Sequence, residues 1–204
     1  MRILIACEFS GIVRDAFIKK GHDAISCDLL PTEKPGPHYQ GDVFDIINDG
    51  WDVMIAFPPC TYLSCAANRV WHKPGRAEKR EKALQFFLSL YNADIEKICI
   101  ENPMGYVNTA FRKPDQIIHP YYFGDKHLKR TCLWLKNLSP LLHYSENELF
   151  NDKTHTEKPA PIYISPQGKK EYYTTMGNFK GNNRQKQRSK TFPGIAAAMA
   201  DQWG

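Results

Sequence analysis

Two short stretches of this chain place reactive side chains directly after apolar runs. In the first, two prolines end the run 51–57 and Cys60 follows them; in the second, Glu101 and Asn102 follow the apolar stretch "KICI". A thiolate is an intrinsically strong nucleophile. The prolines stop the strand and stiffen the loop, because each has a fixed φ and lacks an N–H. We therefore predict that Cys60 is a nucleophile; the alternative is a buried structural thiol.

Polar or flexible residues also follow the other predicted strands. Gly11 closes the turn "EFSG", and a glycine there lets the backbone approach a ligand closely. Asp28 ends the second apolar run, where a carboxylate can accept hydrogen bonds from ribose hydroxyls; the alternative is a solvated turn residue. Asp42 could accept from an adenine amino group, or it could cap a turn. Together these residues suggest a nucleoside-like pocket.

The elements that must position these residues alternate along the chain. Apolar runs typical of strands lie at 2–7, 23–28, 51–57, 95–102 and 131–138, with a further short element at 42–47. Between them, "GIVRDAFIKKGH" and "RAEKREKALQFFLSLYNA" have helical spacing, and Gly21 stands at a helix C-cap. This alternation predicts an α/β fold with a doubly wound, mostly parallel sheet. Ligands of such a sheet bind beyond the carboxyl ends of its strands.

The second half of the chain is less regular. "KPAPIYIS" and "KEYYTTMG" could form a hairpin across the turn "PQGK". The terminal "TFPGIAAAMADQWG" is rich in alanine and predicts a helix, with Thr191 as its N-cap.

Length and composition indicate one globular domain of ordinary type. The chain has 204 residues and a formal net charge of +5. It contains no apolar run long enough to span a membrane and no signal-peptide pattern, so we expect a soluble, cytoplasmic protein without membrane contact. Its six cysteines form no CxxC pair, and the spacing of Cys60, Cys65 and His72 matches no standard zinc site, so no metal is predicted.

Two basic stretches could meet phosphate groups. The segment 180–190 contains five cations and no acid; they are Lys180, Arg184, Lys186, Arg188 and Lys190. The loop after Cys60 contains Arg69 and Arg76, and it could close over a substrate. In both cases the alternative is an ordinary solvated loop.

The order of these motifs resembles that of the cytosine-5 DNA methyltransferase family. The matching residues are Phe9 and Gly11, Asp28, Asp42, Pro59 with Cys60, and Glu101 with Asn102, in the family's order and spacing. The match covers about the first half of the chain. The resemblance implies a Rossmann-like class I methyltransferase fold, S-adenosyl-L-methionine as the cofactor and DNA as the partner.

The resemblance also implies roles for individual residues. Cofactor contacts would come from Phe9, Ser10, Gly11, Asp28, Leu29, Asp42, Val43 and Pro58. In the family's chemistry, the Cys60 thiolate adds to carbon 6 of cytosine and thereby makes carbon 5 nucleophilic, and Glu101 stabilises the charge at ring nitrogen 3. Arg130 would complete the catalytic set. Asn102 would fix the loop and contact the nucleic acid. Independently of the resemblance, the charge of the two basic stretches predicts nucleic-acid contacts from Arg69, Arg184, Lys186 and Arg188.

The chain departs from the family in two places. Of the Gln-x-Arg-x-Arg motif, "KHLKRTCLWL" retains only Arg130, because Lys126 and Leu128 occupy the other two positions; Lys129 can substitute in part. The second departure is the small recognition region. We predict a catalytic cofactor-binding domain at 1–138, a small recognition region at 139–190, and a C-terminal helix at 191–204 that packs back on the catalytic domain.

This small region provides little surface for reading a duplex sequence. A methyltransferase acting on duplex DNA must also flip its base out of the stack. The chain would therefore act on single strands, or work with a partner subunit or as a homodimer. Two other functions stay open at this stage. One is a methyltransferase of the same fold that acts on a free nucleotide or RNA; the other is a non-catalytic nucleic-acid-binding relative.

Overall fold

A computed structural model describes residues 1–147, 152–155, 157–168, 170–172 and 184–204. Its centre is a seven-stranded sheet. The strands are β1 (Arg2–Ala6), β2 (Asp23–Asp28), β3 (His38–Gln40), β4 (Val53–Ala56), β5 (Lys97–Pro103), β6 (Gln116–Ile118) and β7 (Thr131–Lys136). Their order across the sheet is β3-β2-β1-β4-β5-β7-β6.

Helices connect and flank these strands. They are α1 (Ile12–Lys19), α2 (Arg76–Tyr91), α3 (Val107–Ala110), α4 (Arg184–Ser189) and α5 (Pro193–Trp203). Short 3-10 turns lie at Val43–Asp45, Cys65–Val70 and Pro120–Phe123, and two hairpins pair β8 (Tyr144–Asn147) with β9 (Asp152–His155) and β10 (Tyr163–Ile164) with β11 (Lys170–Glu171). Among the described residues, no helix combines the length and apolar character needed to cross a bilayer.

The strand directions bring several chain segments to one edge of the sheet. The strands β1 to β5 are parallel to their neighbours, whereas β7 runs antiparallel to both β5 and β6. Consequently β6 runs parallel to β5, and the start of β7 lies at the carboxyl edge. Thr131 stands opposite both Pro103 and Ile118 in the register. This edge therefore collects the ends of β1, β2, β4, β5 and β6 and the beginning of β7.

Two hydrophobic cores cover the two faces of the sheet. Side chains alternate along a strand, and in β1 Ile3 and Ile5 enter one core while Leu4 and Ala6 enter the other. The first core includes α1 and α5, which pack against each other, and the second includes α2. The predicted fold class is confirmed: the chain is a doubly wound, mostly parallel, Rossmann-like α/β protein.

The strand β3, at His38–Gln40, was not predicted, and two local predictions differ from the structure. This strand has three residues, follows a proline-rich stretch and lies at the edge of the sheet. The element at 42–47 begins with a 3-10 turn, since the Asp42 side chain caps the Phe44 amide. The N-cap of α5 is Phe192, not Thr191, because Pro193 occupies the first helical position.

The predicted hairpin across "PQGK" is present as the pair β10 and β11. Part of its second arm, at 173–177, lies outside the described residues. The domain boundaries at 138 and 190 remain a prediction.

Candidate active site

Hydrogen bonds join the loops that follow β4 and β5 at the carboxyl edge. The Asn102 side-chain amide donates to the Pro58 carbonyl over 3.0 Å, and Asn102 is fully buried. Further along, the Tyr106 amide donates to the Leu63 carbonyl over 2.7 Å. A Cβ on Gly105 would lie 2.0 Å from the Leu63 oxygen, so only glycine permits this approach. The two strand tips are thus held together.

Cys60 lies on the first of these joined loops and is exposed. Its carbonyl accepts hydrogen bonds from the amides of Leu63 and Ser64, over 3.1 and 2.9 Å. This turn fixes the backbone after Cys60, and the bond between Asn102 and Pro58 fixes the backbone before it. The thiol is therefore presented to solvent by a constrained loop and is not packed in the core.

The environment separates Cys60 from most of the other cysteines. Cys27, Cys99 and Cys132 are buried, and Cys7 is half-buried. Burial, with the nearby Asp28 charge, raises the pKa of Cys27 to about 12. Burial, with the Glu101 charge, raises the pKa of Cys132 to about 12, and burial also raises the pKa of Cys7 and of Cys99. Thiols with raised pKa values are poor nucleophiles at neutral pH. Besides Cys60, Cys65 is exposed.

Glu101 lies near the end of β5 with a cation beside it. Its side chain is 15% exposed, and Lys129 Nζ lies 3.7 Å from Glu101 Oε1. Arg130, the residue predicted to be catalytic, is exposed. The cation that the structure places against the carboxylate is therefore Lys129, which the sequence suggested only as a partial substitute.

Several buried polar atoms at this edge lack a hydrogen-bond partner among the described residues. They include Glu101 Oε1, Asn102 Oδ1 and Thr131 Oγ1. Their strands are neighbours, because Asn102 pairs with Cys132 and Pro103 pairs with Thr131. A buried polar atom without a partner costs free energy unless water or a ligand meets it. The edge therefore offers polar atoms that a ligand could satisfy.

A cleft lies beside Cys60 at the ends of β1, β2 and β4. Its lining residues are Cys7, Cys27, Asp28, Leu29, Gly41, Asp42, Val43, Pro59 and Phe86. It thus brings together half of the residues predicted to bind the cofactor: Asp28, Leu29, Asp42 and Val43. Pro59 lines the cleft and directly precedes Cys60, so the loop that carries the thiol forms part of the cleft wall.

The cleft combines two carboxylates with apolar surface. Asp28 Oδ1 accepts from the Leu30 amide over 2.9 Å, and burial raises the pKa of Asp28. Asp42 Oδ1 accepts from the Phe44 amide over 3.1 Å, so the turn-capping role considered for Asp42 is present. Leu29 is 73% exposed and Val43 is buried. Such a lining suits a ligand with hydroxyl or amino groups and a flat apolar ring.

The first turn contains a buried acid that the sequence analysis overlooked. Glu8 is 4% exposed, and its Oε1 accepts from the Ser10 hydroxyl and from the Ile12 amide. Its Oε2 lacks a hydrogen-bond partner within the described residues, and burial raises the pKa of Glu8. The predicted cofactor residues Ser10 and Phe9 are also buried, and Gly11 has a φ of 73°. The Glu8 carboxylate therefore occupies the start of α1 itself.

Arg14 holds the loop that follows β2, and it too was missed. Its side chain is fully buried and pairs with Asp15. It donates to the side chains of Ser26 and Thr32 and to the carbonyls of Lys34, Pro35 and Pro37. In the sequence it looked like an ordinary helical arginine, because nothing local predicts that a distant loop will wrap around it.

The basic segment contacts the first turn. Lys186, in α4, lies 3.3 Å from the Glu33 carboxylate and 5.0 Å from the centre of the Phe9 ring. The Glu33 amide in turn donates to the Phe9 carbonyl over 2.8 Å. Arg184 and Arg188 belong to the same helix. Lys186 is thus placed beside the predicted cofactor turn.

Arg69, the remaining residue predicted to bind nucleic acid, is exposed in the 3-10 turn after Cys60.

Comparisons with known proteins add little. No protein-family model matches the chain, and no curated protein sequence matches it significantly. Among solved structures, the chain is similar to the Entamoeba histolytica methyltransferase EhMeth, with 16% identity and a TM-score of 0.47; the similarity covers 81% of this chain and 60% of that one. A likeness this distant carries no argument, so function rests on the residues of the chain itself.

Proposed function

We propose that the protein is an S-adenosyl-L-methionine-dependent methyltransferase that transfers a methyl group to carbon 5 of cytosine in DNA. The observation that supports this most is the convergence of the two strand tips. The loop with the exposed Cys60 is joined to the end of β5, which carries the largely buried Glu101, by the bond between Asn102 and Pro58, and a nucleoside-like cleft lies alongside.

The cleft residues fit the proposed cofactor. Asp28 and Asp42 supply acceptors for ribose hydroxyls and an adenine amino group, while Leu29, Val43 and Phe86 supply apolar contacts for the ring. When bound, S-adenosyl-L-methionine supplies an electrophilic methyl group. Because Pro59 lines the cleft and precedes Cys60, a base bound by the thiol would lie near this cleft under the proposed function.

The proposed mechanism uses the two reactive side chains in sequence. The Cys60 thiolate adds to carbon 6 of the cytosine ring, and the electron pair of the 5,6 double bond becomes available at carbon 5. Glu101 holds a proton at ring nitrogen 3, which stabilises the charge that develops there. After carbon 5 has been methylated, it loses its proton and the thiolate leaves, which restores the double bond. Lys129 Nζ lies 3.7 Å from Glu101 Oε1 and would help to position this side chain.

Transfer of a labelled methyl group from the cofactor to DNA tests this function, with RNA and free cytidine nucleotides as alternative acceptors. We expect labelling of DNA by the wild-type protein, a fall to background with Cys60→Ser, and near-normal labelling with the matched exposed-thiol control Cys65→Ser. Unchanged labelling with Cys60→Ser, or labelling of only RNA or nucleotides, would overturn the proposal.

A further inference from the structure

A group of cations surrounds the loop that follows Cys60. We define the cation–aromatic surface by eight residues: Tyr62, Arg69, Trp71, Lys73, Arg76, Lys79, Arg80 and Tyr106. Among the described residues, no carboxylate lies within ion-pair distance of its five cations. The two acids of the same helix make their closest contacts with other residues: Glu78 pairs with Lys82 over 2.7 Å, and Glu81 accepts from Gln85. The surface therefore carries a local excess of positive charge.

Aromatic rings lie between these cations. The Arg80 guanidinium lies 3.7 Å from the centre of the Trp71 ring and 4.8 Å from that of Tyr106. The Arg76 guanidinium lies 4.6 Å from the Tyr62 ring centre, and Lys79 Nζ lies 6.0 Å from it. Each of the three rings, Trp71, Tyr106 and Tyr62, thus has a cation within contact distance of its face.

Parts of this surface are open to a ligand. Trp71 is 42% exposed, although tryptophan is usually well covered. Arg76 Nε lacks a hydrogen-bond partner within the described part of the chain, although this atom is itself buried. The exposed Trp71 ring lies beside the Arg80 guanidinium, and a ring next to a cation suits a flat base attached to a phosphate.

The surface borders the candidate nucleophile. Tyr62 stands two residues after Cys60, in the turn that the Cys60 carbonyl closes. Arg80 Nε donates to the Tyr62 carbonyl over 3.2 Å, and Arg80 Nη2 donates to Asn68 Oδ1 over 2.8 Å. Tyr106 comes from the loop after β5 and bonds to Leu63. A strand lying on this surface would pass beside the thiol.

We propose that the cation–aromatic surface binds an unpaired DNA strand and that the substrate of this site is single-stranded DNA. This inference rests on the proposed function. Cations neutralise the phosphates, and aromatic rings stack on bases. Bases in a duplex already stack on each other, so ring stacking favours an unpaired strand.

Fluorescence anisotropy with a labelled single strand, and with the duplex of the same sequence, measures the preference. We use Cys60→Ser protein without cofactor, so that binding is separated from methyl transfer. We expect at least about tenfold tighter binding of the single strand. The double variant Arg76→Gln with Lys79→Gln should weaken single-strand binding about tenfold and reduce the slope of log K against log salt by about 1.4.

The control variant also removes two positive charges, but at positions outside the cation–aromatic surface. Lys19→Gln with Lys113→Gln alters two exposed lysines outside this surface, and it should leave single-strand binding within about twofold of the parent protein. Trp71 provides an independent readout, because Trp134 and Trp203 are buried and Trp51 is half-buried. We expect the single strand to quench tryptophan fluorescence, Trp71→Ala to abolish the quenching and weaken binding about tenfold, and Trp71→Tyr to restore the affinity.

Equal or tighter binding of the duplex would overturn the inference, as would equal losses in the charge variant and its control. If the single strand binds as expected but no methyl group is transferred, the proposed function fails and the binding surface stands. If duplex DNA is methylated without single-strand binding, the proposed function stands and this inference fails.

Discussion

At the residue scale, side-chain burial decides which thiols can react. Cys60 and Cys65 are exposed, whereas burial raises the pKa of Cys99 and raises the pKa of Cys27 and of Cys132 to about 12. We expect iodoacetamide at pH 8 to modify the two exposed cysteines of the native protein much faster than these three. Mass spectrometry of tryptic peptides after timed quenching measures each rate. Equally fast modification of the buried thiols would contradict the packing around β2, β5 and β7.

Glu8 gives a second prediction, which concerns pH. Burial raises its pKa above the ordinary value of 4.5. The folded protein therefore holds this proton more tightly than the unfolded chain, so its contribution to stability is full below pH 4.5 and is lost as pH rises through the raised pKa. Glu8→Gln keeps an acceptor for Ser10 and Ile12 but cannot ionise.

We expect the difference in unfolding free energy between Glu8→Gln and wild type to shift in favour of the variant as pH rises from 4 to 8. Urea unfolding at a series of pH values measures this difference. A difference that stays constant with pH, or that shifts toward wild type, would show that the Glu8 carboxyl does not titrate as its burial requires.

At the element scale, the joined loops after β4 and β5 depend on Asn102. This residue is fully buried, and its amide donates to the Pro58 carbonyl. Asn102→Ala should lower the unfolding free energy by about 1–3 kcal/mol, because the carbonyl loses its partner. It should also speed hydrogen exchange at the amides of Leu63 and Ser64, next to Cys60. Asn48→Ala, at an exposed position before β4, is the control and should leave both the unfolding free energy and this exchange unchanged. Unchanged exchange in Asn102→Ala would mean that the two loops are positioned independently.

The sequence predicted the strands that are marked by a long apolar run of their own. The long apolar runs became β1, β2, β4, β5 and β7, and the residues after them reached a common edge as a parallel sheet requires. The strands β3 and β6 were missed, because each has three residues and is defined by pairing with a neighbour. Whether Lys129 or Arg130 meets Glu101 depends on how the chain enters β7, and the spacing of residues does not show this.

The sequence also did not predict that two charged residues are buried. Arg14 is a charged residue among the apolar residues of a helix, and a helical pattern predicts that such a side chain faces solvent. Glu8 lies in the turn before that helix, where a carboxylate is also usually exposed. In the structure, distant carbonyls and hydroxyls surround Arg14, and the turn closes over Glu8. Such contacts arise from the path of the loop after β2 and from the turn after β1, neither of which has a periodic signal.

At the scale of the whole molecule, the proposed reaction requires one continuous path across the carboxyl edge of the sheet. Pro59 lines the cleft at the ends of β1 and β2, Cys60 follows Pro59, and Glu101 lies near the end of β5, the strand beside β4. The cation–aromatic surface lies beyond the thiol. The helix α4 contacts the first turn through Glu33. The proposed cofactor cleft and the proposed strand-binding face thus both lie at this edge of the sheet.

Covalent trapping by a fluorinated substrate tests the central claim most directly. Fluorine at carbon 5 of cytosine cannot leave as a proton does, so an adduct that has accepted a methyl group cannot release the thiol. We predict that single-stranded DNA containing 5-fluorocytosine, with the cofactor present, forms an adduct that resists denaturation, and that peptide mass spectrometry locates it on Cys60. An adduct on Cys65, or methyl transfer to ordinary DNA with no adduct on the fluorinated strand, would contradict the account.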